Sequence, residues 1–476
     1  MKHIKSIRKY HNELCRHVRR IYVYLFLAIA CFAVLTMYYA DITVTGQFGL
    51  VFLDVLFHGK PLQFYAYAQQ SGIAPEGAVY DIGTYVIFGI WSLPVWLLHK
   101  FLGASALSVG SLLWFRLLVL VFYFGTIVLV ERIGRLIYRS EKNAVYASFL
   151  YAISLSAFFP VFVASQYDAL SVLFMLWGIY RYLQGNKKWP WIFAISMTIK
   201  PMTLLVLVIL VLRKEKNIFR IVIQMLKGAS LLLVCKLLYI SNPAYQETVA
   251  AFLSKSTGSL FASSFNTPNG EVSLFFLALV LIYATAYLSR TEDDRITILM
   301  VFCLWSAFQI FGGMTCYWSI YLAPFLALTV LMTDKNRLNL TLLIQFAAEA
   351  CMLIVYILNY SWVYGGDKTY SYLILRPLYE QAMTKGNKPS TAAGLLRTVH
   401  VDQYSSALLA AALGYLATIA VLCYRNLQEE NMCVKQKDES EALEPEITPW
   451  HWRLRLLVLY GFAMYTLWAL IGAVRN

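Results

Sequence analysis

The chain has 476 residues, of which 59% are apolar and only 14% are charged, and its formal net charge is +14. An average soluble domain has about 25% charged residues, and the mean hydropathy of this chain is +0.60. This composition excludes a soluble enzyme, a disordered protein and a nucleic-acid-binding module. Apolar runs of about 20 residues recur, and each is long enough to cross a hydrocarbon core of about 30 Å. The sequence therefore predicts an all-α, polytopic membrane protein.

The first forty residues predict an uncleaved first span with its N-terminus in the cytoplasm. Residues 1–20 carry seven Lys or Arg side chains, and the apolar run 21–40 follows. A signal peptide has the same order of segments, but its apolar region is shorter and ends at a small-residue cleavage site. Because Lys and Arg concentrate on the cytoplasmic side of spans, the chain after residue 40 is predicted to be external.

Ten further apolar segments are candidate spans, and two segments are ambiguous. The segment 189–212 is basic at both ends and has Lys200-Pro201 at its middle, so we predict two short helices that form a membrane hairpin broken at Pro201. The segment 82–100 is apolar enough to span, but we place it with membrane-surface helices in an external loop, 41–111. If 82–100 and 189–212 each crossed the membrane once instead, the two ends of the chain would keep the same sides. The ten spans are 112–131, 144–163, 169–184, 219–240, 271–289, 296–312, 318–333, 338–360, 403–424 and 453–473.

Three more connecting segments are large enough to have a role. External loops are predicted at 241–270 and 361–402, and a polar, acidic cytoplasmic linker is predicted at 425–452. The first of these loops ends in a turn-rich stretch that contains Asn266 and Asn269. These amides could bind sugar hydroxyls, and a plain connecting loop is the alternative.

Two carboxylates are predicted to face the same external compartment. Asp41 directly follows the first span, and Asp168 ends the short turn Ser165-Gln166-Tyr167-Asp168 between two apolar runs. Asp also favours turns and solvated span ends for structural reasons. In a functional reading, partial burial makes Asp41 a general base. The pair could act as base and helper, or it could bind a divalent cation through oxygen ligands; the sequence predicts no other cofactor.

Several charged residues fall inside predicted spans, where charge is costly and usually marks a function. Lys200 lies about ten residues from either cytoplasmic flank, too deep to reach the surface. Arg116 and Lys236 could instead extend to the outer surface, and Lys227 lies in the same span as Lys236. Cations near the outer leaflet suit a lipid phosphate, which Arg can bind bidentately. Glu349 is the single mid-membrane acid and is predicted to pair with one of these cations.

In their order and sidedness, these motifs resemble the GT-C superfamily of integral-membrane glycosyltransferases, which use polyprenyl-phosphate sugars. The resemblance covers about residues 20–335. Asp41 matches the catalytic acid of the family's first external loop, and Lys200-Pro201 matches its membrane-hairpin lysine. The other matches are Tyr80-Asp81-Ile82-Gly83-Thr84-Tyr85 at a surface helix, Gln166-Tyr167-Asp168 in the second loop and Phe265-Asn266-Thr267-Pro268-Asn269 in a bacterial loop motif.

The chain also departs from the family in two places. Bacterial relatives often carry a His-Glu-Arg-Tyr-like motif in a later external turn, where this chain has Met314-Thr315-Cys316-Tyr317-Trp318. No Asp-x-Asp pattern surrounds Asp41. The family's role for that later turn is therefore not carried over to these residues.

The resemblance implies a GT-C-like bundle of about 11–13 transmembrane helices in the plasma membrane, with an external active site. It divides the chain into a basic N-terminus, a catalytic module at 21–335 and a C-terminal module at 336–476. The implied reaction transfers a hexose, with inversion, from undecaprenyl phosphate to an external glycan, teichoic acid or lipid. Asp41 would be the base, and the substrates would be bound by Asp81, Arg116, Gln166, Asp168, Lys200, Asn266 and Asn269.

A multi-span transporter or flippase of lipid-linked sugars is the alternative. Transporters often contain internal repeats and broken helices at the membrane midplane. The two halves of this sequence share no repeat. The partners predicted under either reading are membrane lipids and a lipid-linked sugar, and no nucleic acid.

Overall fold

The computed structural model describes residues 14–37, 39–138, 140–261, 263–312, 315–365, 374–433 and 447–475. Most of the predicted basic N-terminus, part of the loop 361–402 and the centre of the linker 425–452 lie outside the described residues. The described part is helical except for one two-stranded sheet. The predicted all-α class is confirmed.

The chain forms helices of very different lengths, which are numbered here in order. The first eleven are α1 (Arg20–Thr36), α2 (Asp41–Phe57), α3 (Phe64–Gln70), α4 (Ile82–Leu102), α5 (Val109–Ile137), α6 (Glu141–Ala152), α7 (Leu155–Phe158), α8 (Asp168–Leu183), α9 (Trp189–Ile199), α10 (Leu204–Lys214) and α11 (Ile218–Tyr239). After α11 come α12 (Pro243–Tyr245), α13 (Ala251–Leu260), α14 (Leu274–Leu288), α15 (Asp294–Phe311), α16 (Ala323–Val330), α17 (Leu338–Asn359), α18 (Arg376–Thr384), α19 (Ala392–Thr398), α20 (Ser405–Cys433) and α21 (Pro449–Arg475).

Shorter elements connect these helices. The strands β1 (Ser264–Thr267) and β2 (Gly270–Ser273) form an antiparallel hairpin between α13 and α14. The 3₁₀ turns are Pro61–Gln63, Pro201–Thr203, Cys316–Tyr321, Lys335–Arg337 and Val401–Tyr404, and the π-helical segments are Phe159–Val163, Gln246–Ala250 and Ser361–Gly365.

Many of the helices are long and apolar enough to cross a membrane. Within the described ranges seven meet this criterion, or nine if each of two bent pairs is one span. Three shorter apolar helical stretches add to these. The polytopic helical fold is therefore confirmed, whereas a total of 11–13 spans stays a prediction. The helix α4 has 21 residues and meets the span criterion too, so its predicted placement on the membrane surface also stays a prediction.

Apolar side chains cover much of the outer surface. Only 17% of the most apolar 18-residue stretch of α11 is buried inside the protein. Ile218, Phe219 and Leu237 of this helix are 72%, 75% and 69% exposed. A soluble protein rarely exposes such a continuous apolar patch. Lipid tails are as apolar as these side chains and can contact them without a free-energy penalty, so the surface of α11 agrees with an intramembrane position.

The predicted helix break at Lys200-Pro201 is confirmed. The helix α9 ends at Ile199, Lys200 is extended with φ −143° and ψ 110°, and a 3₁₀ turn leads into α10. Pro201 lacks a backbone N–H and favours an extended residue before it, so it stops α9 at this place. The break places Lys200 at the end of α9, which packs against both α8 and α11. The return of both helices to the cytoplasmic side stays a prediction.

The C-terminal helices pack directly on the N-terminal part of the chain. The helix α17 packs on α20 and on α7, and α21 packs on α1. Arg453 of α21 donates a hydrogen bond of 3.0 Å from Nε to the Tyr22 hydroxyl of α1. The modules predicted at 21–335 and 336–476 therefore share their core.

Candidate active site

Asp41 lies directly after a sharp bend between two helices. The helices α1 and α2 meet at 68°, and Asp41 is the first residue of α2. Gln166 Nε2 donates a hydrogen bond of 3.0 Å to Asp41 Oδ2. Burial raises the pKa of Asp41 above its ordinary value, although the Gln166 hydrogen bond and the Lys200 charge oppose the shift. A carboxylate with a raised pKa is a stronger base, which suits proton transfer.

A strained turn holds Gln166 on Asp41. Ser165 has a φ of +55°, which is uncommon for a residue with a side chain. The Gln166 backbone N–H donates a hydrogen bond of 2.8 Å to the Pro160 carbonyl in the π-helical segment Phe159–Val163. Such strain persists only where the surrounding structure imposes it, and it often occurs at functional sites. The turn therefore fixes the direction of the Gln166 amide.

Lys200 and Asp168 form a buried ion pair beside this turn. Lys200 Nζ lies 3.3 Å from Asp168 Oδ1, and the two side chains are 5% and 0% exposed. The Tyr321 hydroxyl donates to the same oxygen over 3.4 Å. The structure thus brings Lys200, Asp168, Gln166 and Asp41 together, as the sequence predicts. Asp168 pairs with Lys200, however, whereas the hydrogen bond to Asp41 comes from Gln166.

Three aromatic rings surround the Lys200 ammonium group. Its Nζ lies 4.2 Å from the ring centroid of Tyr80, 5.2 Å from that of Tyr167 and 5.5 Å from that of Trp318. An ammonium group over an aromatic face is stabilised electrostatically. Trp318 and Tyr321 belong to the 3₁₀ turn Cys316–Tyr321. The turn that departs from the bacterial motif thus contributes aromatic walls to this site; its first residue, Met314, lies outside the described residues.

A cavity of about 260 Å³ opens beside Lys200. Its wall comes from residues 79–81 before α4, from the break between α9 and α10, and from α13. Phe308 and Trp318 complete the wall, which is mainly apolar and carries the charges of Lys200 and Asp81. A long apolar ligand with one anionic group fits this distribution.

Asp81 is held by an ion pair of its own. Its Oδ1 accepts hydrogen bonds of 3.3 Å from Lys236 Nζ and of 3.0 Å from the Tyr245 hydroxyl. Burial raises the pKa of Asp81, and the charge of Lys236 opposes that shift. Extension to the outer surface was the alternative considered for Lys236, and in the structure its ammonium group contacts Asp81 at the cavity wall.

Arg116 lies away from the cavity. It is 1% exposed and donates to the carbonyls of Val34 and Met37 at the end of α1. A third hydrogen bond, of 2.8 Å, reaches the Phe162 carbonyl. These contacts tie the end of α1 to the π-helical segment Phe159–Val163 that precedes Gln166, and binding of a lipid phosphate by Arg116 stays a prediction.

The two loop asparagines are not brought to the site. Asn266 lies in β1 and Asn269 in the turn of the hairpin, and both are exposed. No described hydrogen bond or cavity contact joins them to Asp41 or Lys200. Their role in substrate binding stays a prediction.

Glu349 does not pair with any of the cations that were predicted for it. Its carboxylate accepts hydrogen bonds from the Ser154 hydroxyl and from the Leu155 backbone N–H. The carboxylate interacts electrostatically with Arg455 of α21. Sequence reasoning missed this partner because Arg455 was assigned to the cytoplasmic end of the last span.

The carboxylates offer no complete set of metal ligands. In the part of the chain that the structure describes, no three His, Cys, Asp or Glu residues lie together. Asp168 is paired with Lys200 and Asp41 with Gln166. Gln166 donates a hydrogen bond and Lys200 carries a positive charge. The residues present therefore do not fit the divalent cation considered from the sequence.

Part of the chain matches a known protein family. Residues 68–253 match the mannosyltransferase (PIG-V) family. The match covers less than half of the chain, and it confirms the resemblance to membrane glycosyltransferases. The matched range includes Tyr80, Asp81, Gln166, Asp168 and Lys200. No curated protein matches the sequence. Among solved structures, the crystal structure of ArnT from Cupriavidus metallidurans bound to undecaprenyl phosphate is similar, with 11% identity, a TM-score of 0.37, and coverage of 91% of this chain and 84% of that chain.

The PIG-V match supports a glycosyltransferase. It ends at residue 253, inside α13, and therefore omits the turn that carries Trp318 and Tyr321. It begins after Asp41 as well. The contacts of Asp41 are thus observed in the structure independently of the family match, which does not include this residue.

Proposed function

We propose that this protein transfers a hexose from a polyprenyl-phosphate donor to an acceptor at the external face of the plasma membrane. One observation carries the proposal. The basic carboxylate of Asp41 interacts electrostatically with the buried cation Lys200, and Lys200 lies in the wall of an apolar cavity. The PIG-V match supports the sugar-transfer chemistry, and the predicted distribution of Lys and Arg supports an external site with a cytoplasmic N-terminus.

The proposed reaction is a single displacement with inversion. Asp41 takes the proton of the acceptor hydroxyl while that oxygen bonds to the anomeric carbon of the sugar. The bond between this carbon and the phosphate oxygen breaks, and the lipid phosphate leaves with the electron pair. The transition state resembles an oxocarbenium ion, as in other glycosyl transfers. Lys200 stabilises the negative charge on the leaving phosphate.

The other residues bind or orient in this proposal. Asp168 pairs with Lys200 and directs it, and Gln166 directs Asp41. The lipid chain lies along the apolar cavity wall, and Asp81 accepts hydrogen bonds from sugar hydroxyls beside Lys200. Asn266 and Asn269 would contact the acceptor only if the hairpin moves toward the site.

Purified protein in detergent should transfer sugar without any ion gradient. The expected product is a glycosylated acceptor together with free polyprenyl phosphate, detected by mass spectrometry from a polyprenyl-phosphate hexose donor. A transporter or flippase of the same lipid would bind this donor but would form no glycosidic bond in detergent. Donor binding without any transfer, across a panel of glycan, teichoic acid and lipid acceptors, would favour the transporter.

The acid side of the pH profile should report Asp41. As pH falls through the pKa of Asp41, the carboxylate takes up a proton and can no longer act as a base, so kcat/KM falls. Because burial raises this pKa above the ordinary 3.8, the fall should begin at a higher pH than for an exposed aspartate. Gln166→Leu removes a hydrogen bond that lowers the pKa, so it should move the acid limb higher still. An acid limb at the ordinary aspartate value would contradict this assignment.

A further inference from the structure

Glu349 is a buried acid of the C-terminal module that the proposed reaction does not use. It lies near the middle of α17 and is 1% exposed. Its Oε1 accepts a hydrogen bond of 2.5 Å from the Ser154 hydroxyl, and its Oε2 accepts one of 3.2 Å from the Leu155 backbone N–H. Both donors lie at the junction of α6 and α7, where the chain bends by 53°. A buried carboxylate is costly without such partners, so Glu349 and the bend fix one another.

The bend leads directly to the proposed base. The helix α7 continues into the π-helical segment Phe159–Val163, and the Pro160 carbonyl of that segment binds the Gln166 backbone N–H. The Gln166 amide then reaches Asp41. Glu349 therefore holds one end of the stretch 155–166, and Asp41 contacts the other end.

The same bend also supports the aromatic wall beside Lys200. The Ser319 hydroxyl donates a hydrogen bond of 3.0 Å to the Ser156 carbonyl in α7. Ser319 directly follows Trp318 in the turn Cys316–Tyr321. This bond gives α7 a second point of attachment, at Ser156, on the stretch between Glu349 and Gln166.

Glu349 is itself held by the last helix. Arg455 of α21 is fully buried and donates hydrogen bonds of 2.8 Å to the Leu342 carbonyl and 3.2 Å to Gln345 Oε1, both in α17. Its charge interacts with that of Glu349. Arg455 therefore fixes the part of α17 that precedes Glu349 and supplies a positive charge for its carboxylate.

We infer that Glu349 is a positioning residue for sugar transfer, which acts through Ser154, Leu155 and the π-helical segment to keep the Gln166 amide on Asp41. The inference rests on the proposed role of Asp41 as the base. It gives the C-terminal module a part in catalysis, although that module lies outside the family match. The atoms involved touch neither the donor nor the acceptor.

The test compares Glu349→Gln with Glu131→Gln. The amide of Glu349→Gln cannot accept both hydrogen bonds, so kcat should fall about tenfold to a hundredfold, as for loss of one hydrogen bond to a charged group. The KM for the donor should stay within about twofold of the wild-type value, a much smaller change than the fall in kcat. The acid limb should move to higher pH, because a displaced Gln166 no longer lowers the pKa of Asp41; the charges of Lys200, Asp168 and Glu76, which also act on Asp41, are unchanged.

Glu131 is the matched control. It is a buried acid, 5% exposed, near the C-terminal end of the long helix α5, and its Oε1 lies 2.7 Å from Arg135. Glu131→Gln should lower thermal stability but leave both kcat and the acid limb unchanged. A Glu349→Gln variant that behaves like Glu131→Gln would overturn the inference.

A double variant tests the route through Gln166. In a Gln166→Leu background, Glu349→Gln should cause no further loss of kcat, because residues that act as one unit are not additive. Losses that multiply would overturn the inference. If Glu349→Gln does not fold, Ser154→Ala removes one of the two hydrogen bonds and should move kcat and the acid limb less, in the same direction; an unchanged acid limb there would count against the inference. Wild-type protein without any transfer would instead reject the proposed function.

Discussion

Replacing Asp41 with Asn is expected to lower turnover by about 10²–10⁴-fold, the usual cost of losing a general base. The Asn side chain keeps an oxygen that can accept the hydrogen bond from Gln166 Nε2, which spans 3.0 Å in the wild type. It cannot take the proton of an acceptor hydroxyl. Donor affinity and thermal stability should therefore stay near the wild-type values, with turnover measured in detergent and donor binding measured on the same preparation.

Asp54→Asn is the matched control, because Asp54 lies in the same helix, α2. Its Oδ1 accepts a hydrogen bond of 2.8 Å from Trp96 Nε1 and forms an ion pair of 2.8 Å with Lys100. The ion pair is exposed, and such pairs contribute about 0–1 kcal/mol, while an Asn oxygen can keep the bond from Trp96. This variant should remain active. Most activity retained by Asp41→Asn, or its loss in Asp54→Asn, would show that the base is assigned wrongly.

Replacing Lys200 with Gln is expected to weaken binding of polyprenyl phosphate by about tenfold to a hundredfold, since a hydrogen bond between charged groups is lost. The variant should also be less stable, because Asp168 is 0% exposed and removing one partner of a buried pair costs about 3–5 kcal/mol. The two effects can be separated. The double variant Lys200→Gln/Asp168→Asn should regain much of the stability but none of the affinity.

Lys227→Gln is the control for this experiment. Lys227 is a cation of the lipid-facing helix α11 and does not line the cavity. Its replacement should leave the affinity for polyprenyl phosphate unchanged in equilibrium binding with purified protein. Recovery of affinity in the Lys200 double variant would mean that Lys200 serves only to neutralise Asp168, and the lipid phosphate would then need another partner.

The sequence was most informative where the chemistry of a single residue limits the backbone. Pro201 interrupts a helix and favours an extended residue before it, so the break at Lys200 could be placed within one residue. Apolar runs similarly located the long helices. Asp41 and Asp168 could be grouped because both follow apolar runs that end on one side of a membrane, whereas Gln166 and Lys200 joined them through the family resemblance.

The partners of the buried charges could not be predicted in the same way. Lys200, Arg116 and Glu349 were all assigned to a phosphate or to each other, because each is costly inside a membrane. The structure gives Arg116 three backbone carbonyls and gives Glu349 a helix junction. Which partner wins depends on helix rotation and on backbone bends such as the π-helical segment, and neither leaves a periodic signal in the sequence.

The aromatic residues beside Lys200 were missed for a related reason. Aromatic residues make up 16% of the chain, so Tyr80, Tyr167 and Trp318 do not stand out by their type. Their contact with Lys200 joins three segments that are far apart in sequence. The signal that could have found two of them is adjacency, since Tyr80 precedes Asp81 and Tyr167 precedes Asp168.

The contact between the first and last helices has a consequence for the order of biosynthesis. Arg453 and Tyr22 are 431 positions apart, and contacts at such separation form late, because the intervening loop must close first. While the ribosome is still making the chain, α1 has no partner on the face that α21 later covers. The helix that leads to Asp41 is therefore covered on this face only after the final helix has entered the membrane, and a nascent chain that stalls before Pro449 carries all the proposed reactive groups with α1 still incompletely packed.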